Sequence, residues 1–228
     1  MKRLTRRKPT RSHPRRRQPA KDGDTERRIL DAAHGVFLRR GTAGARMQEI
    51  ARDAGVNQAL LHYYFRTKEQ LARAAFEHAG SQLMPAVIQE VASDAPLEDK
   101  VRRVVAIELD HLSRVPYLPG YIIGEVAHHP ERAQQLIAAM TRGLTPEHLR
   151  PRIFGALRQQ IDERVAAGAM RPIAPEQFMV NLVSLCIFPF AARPMLQALL
   201  GLDAAGFARF IATRREELAD FFIGALRP

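Results

Sequence analysis

The 228-residue chain is 46% hydrophobic and 26% charged, which excludes an intrinsically disordered protein and allows one or two domains with a sizeable core. Its formal charge is +11, but residues 1–21 hold ten Lys/Arg and no Asp or Glu, whereas residues 22–228 hold 25 against 24. The basic excess therefore sits in the N-terminal tail, and the single cysteine, Cys186, excludes an internal disulfide and fits a reducing cytoplasm.

The tail, residues 1–23, has no apolar run and so does not read as a secretory signal. Rich in Pro and charge, it reads as a disordered basic arm. Next to a DNA-binding unit it would add phosphate contacts or enter a minor groove. Met47, Ile50, Ala51 and Ala54 then fall at i, i+3, i+4 and i+7, the face of a short helix that Gly55 ends. Asn57 is a good N-cap for a second short helix from Gln58 to about Tyr63. Thr67 opens a third, with Gln70 three residues on as the other half of a capping box. Two short helices joined through a glycine turn describe a helix-turn-helix, whose second helix reads a DNA major groove.

Beyond it the chain reads as helical throughout, with no period-two pattern and no hairpin turn. A long helix is expected from Lys68 towards Val91, with Pro85 as a kink site, and another from about Leu97 to Ser113. Shorter helices are expected at Gly120–Ala127 and Glu131–Met140, then longer ones at Pro146–Ala167, Pro175–Phe188 and Ala204–Leu226, with a short one near Pro194–Leu200. The fold class is all-α: a basic arm at 1–23, a three-helix reading head at 24–80, and a helical bundle at 81–228 with 16 Lys/Arg and 16 Asp/Glu.

The pattern of Ile50, Ala51, Ala54, Gly55, Val56, Leu61, Tyr64, Phe65, Lys68 and Leu71 resembles the DNA-binding signature of TetR-type transcriptional regulators. The resemblance covers roughly residues 25–76. It implies a transcriptional regulator, most often a repressor, that binds a double-stranded palindromic operator as a homodimer. It also implies a C-terminal domain that dimerises and holds a small effector. Two positions depart from the family pattern. Arg46 stands where Ser or Thr is common at the start of the second helix, and His62 stands where Tyr is common.

Within the head, Gln58 is the leading base reader, because its amide can pair bidentately with adenine. Ala59 and Leu60 suit apolar contact, for instance with a thymine methyl, and at least one of His62 and Tyr63 should face the duplex. Asn57 caps, contacts phosphate, or both. Arg46, Gln48 and Thr67 complete the set. From the family likeness, Tyr64 and Lys68 would contact phosphate, Lys68 beside the free N–H groups of a helix start. Leu61, Phe65 and Leu71 read as core.

In the bundle, His111, Tyr117, Tyr121, Phe154 and Phe188 offer aromatic or titratable groups that could line an effector cavity, although each alone reads more simply as structural. The apolar run from Phe178 to Gly201 reads as core and dimer face rather than a membrane span, since it holds Asn181, Ser184 and Pro189. Glu125, His128 and His129 have helical spacing but read as a solvated cluster, so no metal or other cofactor is expected. No P-loop, GxGxxG, GxSxG, HExxH or CxxC motif occurs, which leaves an enzyme reading without support. The alternative to a ligand-responsive regulator is a constitutive or architectural DNA-binding protein of the same fold.

Overall fold

The computed structural model describes residues 20–228, and every regular element among them is helical. The order is α1 (Ala20–Gly44), α2 (Met47–Asp53), α3 (Gln58–Tyr64), α4 (Lys68–Val91), α5 (Leu97–Arg114) and α6 (Leu118–His128). After a 3-10 turn at Pro130–Arg132 come α7 (Ala133–Met140), α8 (Pro146–Ala166), α9 (Pro175–Ala191), α10 (Arg193–Leu200) and α11 (Ala204–Ala225).

Three expectations need adjustment. The arm falls mostly outside the described residues, but Ala20–Gly23 already belong to α1, so the helix begins before the boundary read at residue 24. Asp24 stabilises that first stretch by pairing with Arg27 and Arg28 one turn on, at 3.2 and 3.9 Å. The segment expected as one helix at Glu131–Met140 is a 3-10 turn followed by α7, with Pro130 opening the turn. The capping box at Thr67 is half formed. Thr67 Oγ1 accepts from the Gln70 amide at 3.2 Å, but the Gln70 side chain accepts from the Arg66 N–H rather than from Thr67.

The head (α1–α3) and the bundle share one continuous core. Ile29, Val36 and Phe37 of α1 meet Ile50, Leu61 and Leu71, and Phe37 stacks on Phe76 of α4 at 5.8 Å between ring centroids. The division read at residues 80/81 falls inside α4, which packs on α1 at one end and on α5 and α7 further along. Gly80 permits the α7 approach, because a Cβ there would stand 2.5 Å from the Met140 side chain. The helix runs through Pro85 without a break, and buried Lys100 of α5 donates to the last-turn carbonyl of Val91 at 2.9 Å, capping the C-terminus of α4.

Helix α11 lies along α5, fixed by Arg215 to Asp110 at 2.6 and 2.9 Å and Arg102 to Asp220 at 2.7 Å. Helix α9 inserts Phe178, Leu182, Cys186 and Phe190 into the core. No single helix among the described residues is long and apolar enough to cross a membrane; α9 and α10 reach the necessary length and composition only when taken together, and they are bent by 72°.

Candidate nucleic-acid interface

The turn between α2 and α3 is fixed by backbone chemistry. Gly55 takes φ +66°, its N–H bonds to the Arg52 carbonyl at 3.1 Å, and the Val56 N–H reaches back to Ala51 at 3.0 Å. This paired 5→2 and 6→1 closure is the Schellman motif, and it needs a residue free to adopt left-handed geometry. Asn57 then caps α3, its side-chain oxygen accepting from the Leu60 amide at 2.7 Å. Ile50, Ala51, Ala54, Leu61 and Phe65 are buried beneath the pair, so α3 is held by its apolar face and its other face is left outward. Salt bridges clamp α1 to α2: Arg39 to Asp53 at 2.5 Å, and Arg39 and Arg40 each to Glu49 at 3.7 Å.

On the outward face, Asn57, Gln58, Ala59, His62 and Tyr63 are exposed, and Tyr63 is 79% exposed. Leu60 and Tyr64 are half-buried, with the Tyr64 ring set edge-on against Tyr63 at 5.4 Å between centroids. Arg46 and Gln48 at the start of α2 and Thr67 at the start of α4 are also exposed. Arg46 takes the N-cap position in extended geometry without a side-chain cap, as the missing hydroxyl implies. Lys68 is half-buried and already occupied: its Nζ donates to the Ala43 carbonyl at 3.0 Å, tying the start of α4 to the end of α1. Arg66, which the sequence reading passed over, is exposed in the turn between Phe65 and Thr67; its position between two expected contact residues was the available signal.

The five candidates for an effector cavity do not converge. His111 is buried between α1, α4 and α5 beside His34, with its Nε2 unpartnered; burial and, less strongly, Arg114 lower its pKa. Tyr117 packs against Phe37 and Phe76 and hydrogen-bonds His34, and burial pushes its hydroxyl pKa up. Tyr121 stacks on Phe76 at 3.6 Å between centroids and borders a cleft of about 450 Å³ that also takes in the charged side chains of Lys68, Arg73 and Arg132. Phe154 is half-buried on α8, apart from these groups, and Phe188 lies on the outer side of α9 at 54% exposed. Glu125, His128 and His129 also part company: Glu125 takes Arg132 at 2.8 Å, His128 takes the Gly124 carbonyl at 2.7 Å, and His129 approaches Glu131 at 3.4 Å.

An apolar chamber does lie within the bundle, but none of the five candidates lines it. It lies between α4, α5, α6, α7, α8 and α9, with a volume of about 220 Å³. Leu83, Val87, Leu112, Ile122 and Met179 represent its wall, and Ile123, 54% exposed, marks its mouth. Among its described lining residues only Glu108 is ionisable. Glu108 is 3% exposed, its Oε2 has no hydrogen-bond partner, and burial raises its pKa to about 8 against a smaller opposing effect of a hydrogen bond with Cys186. Burial, reinforced by this carboxyl, pushes the Cys186 thiol well above its ordinary range. The signal was present in the sequence: Glu108 falls on the same stripe as Val101, Val104, Val105 and Leu112.

A buried-back, outward-facing short helix positioned by a capped glycine turn defines a helix-turn-helix DNA-binding protein. Residues 29–75 match the family model for bacterial regulatory proteins of the tetR family. The chain is 30% identical over 185 residues to the HTH-type transcriptional repressor NicS of Pseudomonas putida, a match covering 79% of this chain and 82% of that one. It is 28% identical over 172 residues to the HTH-type transcriptional repressor LfrR of Mycolicibacterium smegmatis, covering 70% and 89%. Among solved structures, a linker-substituted mutant of HlyIIR superposes with a TM-score of 0.56 at 22% identity, covering 90% of this chain and 96% of that one. A putative TetR-family regulator from Mesorhizobium loti gives 0.56 at 17% identity, covering 90% and 98%. The chain belongs to the TetR family of bacterial regulatory proteins, whose members act in transcription and not as enzymes.

Proposed function

We propose that this protein is a homodimeric repressor that holds a palindromic operator through paired α3 helices and releases it when a small, largely apolar molecule enters the bundle. The observation that carries the reading is the conjunction of an outward strip on α3 with an apolar chamber bordered by the same long helix, α4, that braces the head. Gln58 reads a base edge. Ala59 and Leu60 make apolar contacts, and His62 and Tyr63 extend the strip along the groove. Arg46, Gln48, Asn57, Tyr64, Thr67 and Lys68 lie around it as backbone contacts that set register.

The dimer forms through α9 and α11. Val180 and Phe188 on α9 and Phe221 on α11 are apolar and exposed at 60%, 54% and 66%, and Met195 and Leu199 of α10 extend the patch. A C2 pairing there would place two reading heads on one side of the duplex, with half-sites about 34 Å apart. The chamber favours the ligand-responsive reading over a constitutive one, because a DNA-binding protein with no effector has no use for an unfilled apolar space in its core.

The test begins with selection of operator sequences from random DNA by the full chain. Recovery of a palindrome, and loss of discrimination at one position per half-site in Gln58→Ala, are expected. A non-palindromic consensus, or a Gln58→Ala profile indistinguishable from the parent, refutes the placement of α3.

A further inference from the structure

The chamber has a chemical bias that a generic apolar pocket lacks. Its wall is hydrocarbon except at Glu108, whose Oε2 is buried without a partner. An unsatisfied buried carboxyl oxygen is destabilising, and the helix has no local need for it: Val104, Val105 and Leu112 occupy the same stripe. Arg214, whose charge bears on the neighbouring Cys186 but not on Glu108, is engaged elsewhere: it donates twice to the Leu185 carbonyl, at 2.9 and 3.1 Å. The chamber therefore offers one acceptor and no cation.

Three ligand classes can be weighed against that wall. An organic anion would find no cation in the wall to offset burial of its charge, only the neutral carboxyl of Glu108. A pure hydrocarbon would fill the space and leave Oε2 as it is. An organic base would bury its hydrocarbon body and pair with the unpartnered oxygen as an ammonium: it enters as the free amine and takes the proton that burial holds on Glu108, or enters charged and displaces that proton to solvent, and the resulting charge-assisted hydrogen bond is about twice as strong as a neutral one. Size narrows the class further. An engineered cavity of about 150 Å³ holds benzene, so 220 Å³ suits one ring with a short side chain.

We propose that the chamber is a site for a small lipophilic amine: one ring or its aliphatic equivalent, with an ammonium set against Glu108 and the remainder lying among Leu83, Val87, Leu112, Ile122 and Met179. This names the effector class for the ligand-responsive reading given above and rests on that reading for its regulatory meaning. The assignment of Glu108 as the anchor stands on the geometry of the chamber alone.

The experiment uses the full chain and three probes matched in size: phenethylamine, 2-phenylethanol and propylbenzene, each titrated by calorimetry at neutral pH. The amine should bind about 10- to 100-fold more tightly than propylbenzene, the range for a hydrogen bond to a charged group. The alcohol should fall between them. In Glu108→Gln the gap between amine and hydrocarbon should collapse while propylbenzene binding stays the same within about threefold. Equal binding of the three, an alcohol as tight as the amine, a gap that survives Glu108→Gln, or no binding by any probe would each overturn the proposal. If Glu108→Gln does not fold, the ranking of the three probes on the parent protein still decides. Operator titration with and without phenethylamine separates the two readings. Glu108-dependent binding that leaves DNA affinity unchanged keeps the amine site and refutes release by an effector there.

Discussion

Replacing Glu108 with Gln should change how stability depends on pH, in a direction and size set by the carboxyl's surroundings. In the folded chain burial raises its pKa from 4.5 to about 8, so the folded state binds the proton more tightly than the unfolded chain does. Between those values the folded form holds a proton the unfolded form has released, and stability must fall as pH rises. The favourable contribution is complete below the unfolded value and lost as pH climbs through the folded one. At about 1.36 kcal/mol per unit, the loss between about pH 5 and about pH 9 is roughly 3–4 kcal/mol. Gln keeps the shape and carries no titrating proton. Urea denaturation of parent and variant at matched protein concentration across this range should therefore give two curves that diverge, the parent losing ground as the solution becomes alkaline. Any constant offset from placing an amide in the chamber drops out of the slope. Parallel curves would mean that Glu108 is hydrated or paired in solution and that the chamber is wetter than its walls imply.

The remaining predictions concern the head, the cap between α4 and α5, and the tail. Gly55→Val places a β-branched residue at φ +66° and should destabilise the head by about 1–2 kcal/mol or more, read as a lowered melting temperature together with weaker operator binding. Lys100→Met leaves the Val91 carbonyl without its cap and should cost about 1–3 kcal/mol in denaturant titrations; an unchanged midpoint would refute the capping role. Deleting residues 1–19 removes nine Lys/Arg and leaves α1 whole. Affinity for non-specific DNA should then fall most at low salt, with a flatter salt slope and almost the same melting temperature, and an unaltered slope would remove the tail from the DNA contact.

The head was legible in the sequence because its signals are local. Gly55, Asn57 and Thr67 each act within four residues of themselves, and the backbone bonds they make are the ones their chemistry favours. Helix positions in the bundle were legible for the same reason, since Pro146, Pro175 and Asp203 mark helix starts. The chamber was not, because six helices distant in sequence assemble it. Of the aromatic residues singled out as candidates, Tyr117 and Tyr121 pack on Phe76 of α4, Phe154 is half-buried on α8, and Phe188 faces outward. Helix α9 is apolar around much of its circumference, so periodicity could not say which of Phe178, Phe188 and Phe190 turned inward. Glu108 was a visible anomaly, a carboxylate on the stripe of Val101, Val104, Val105 and Leu112.

The bond from Lys68 to the Ala43 carbonyl gives the head a particular logic. An ammonium has three protons, and one is committed to the end of α1. A phosphate arriving at the start of α4 can take a second without displacing the first. DNA would then strengthen the seam between α1 and α4 rather than compete with it, so the bound head is stiffer than the free one. The converse also holds. If Lys68 holds phosphate as proposed, any motion of α4 that withdraws it would remove a donor from the nucleic acid and from α1 in the same step, and the two losses would reinforce each other. A small displacement is thereby turned from a graded weakening into something closer to a latch.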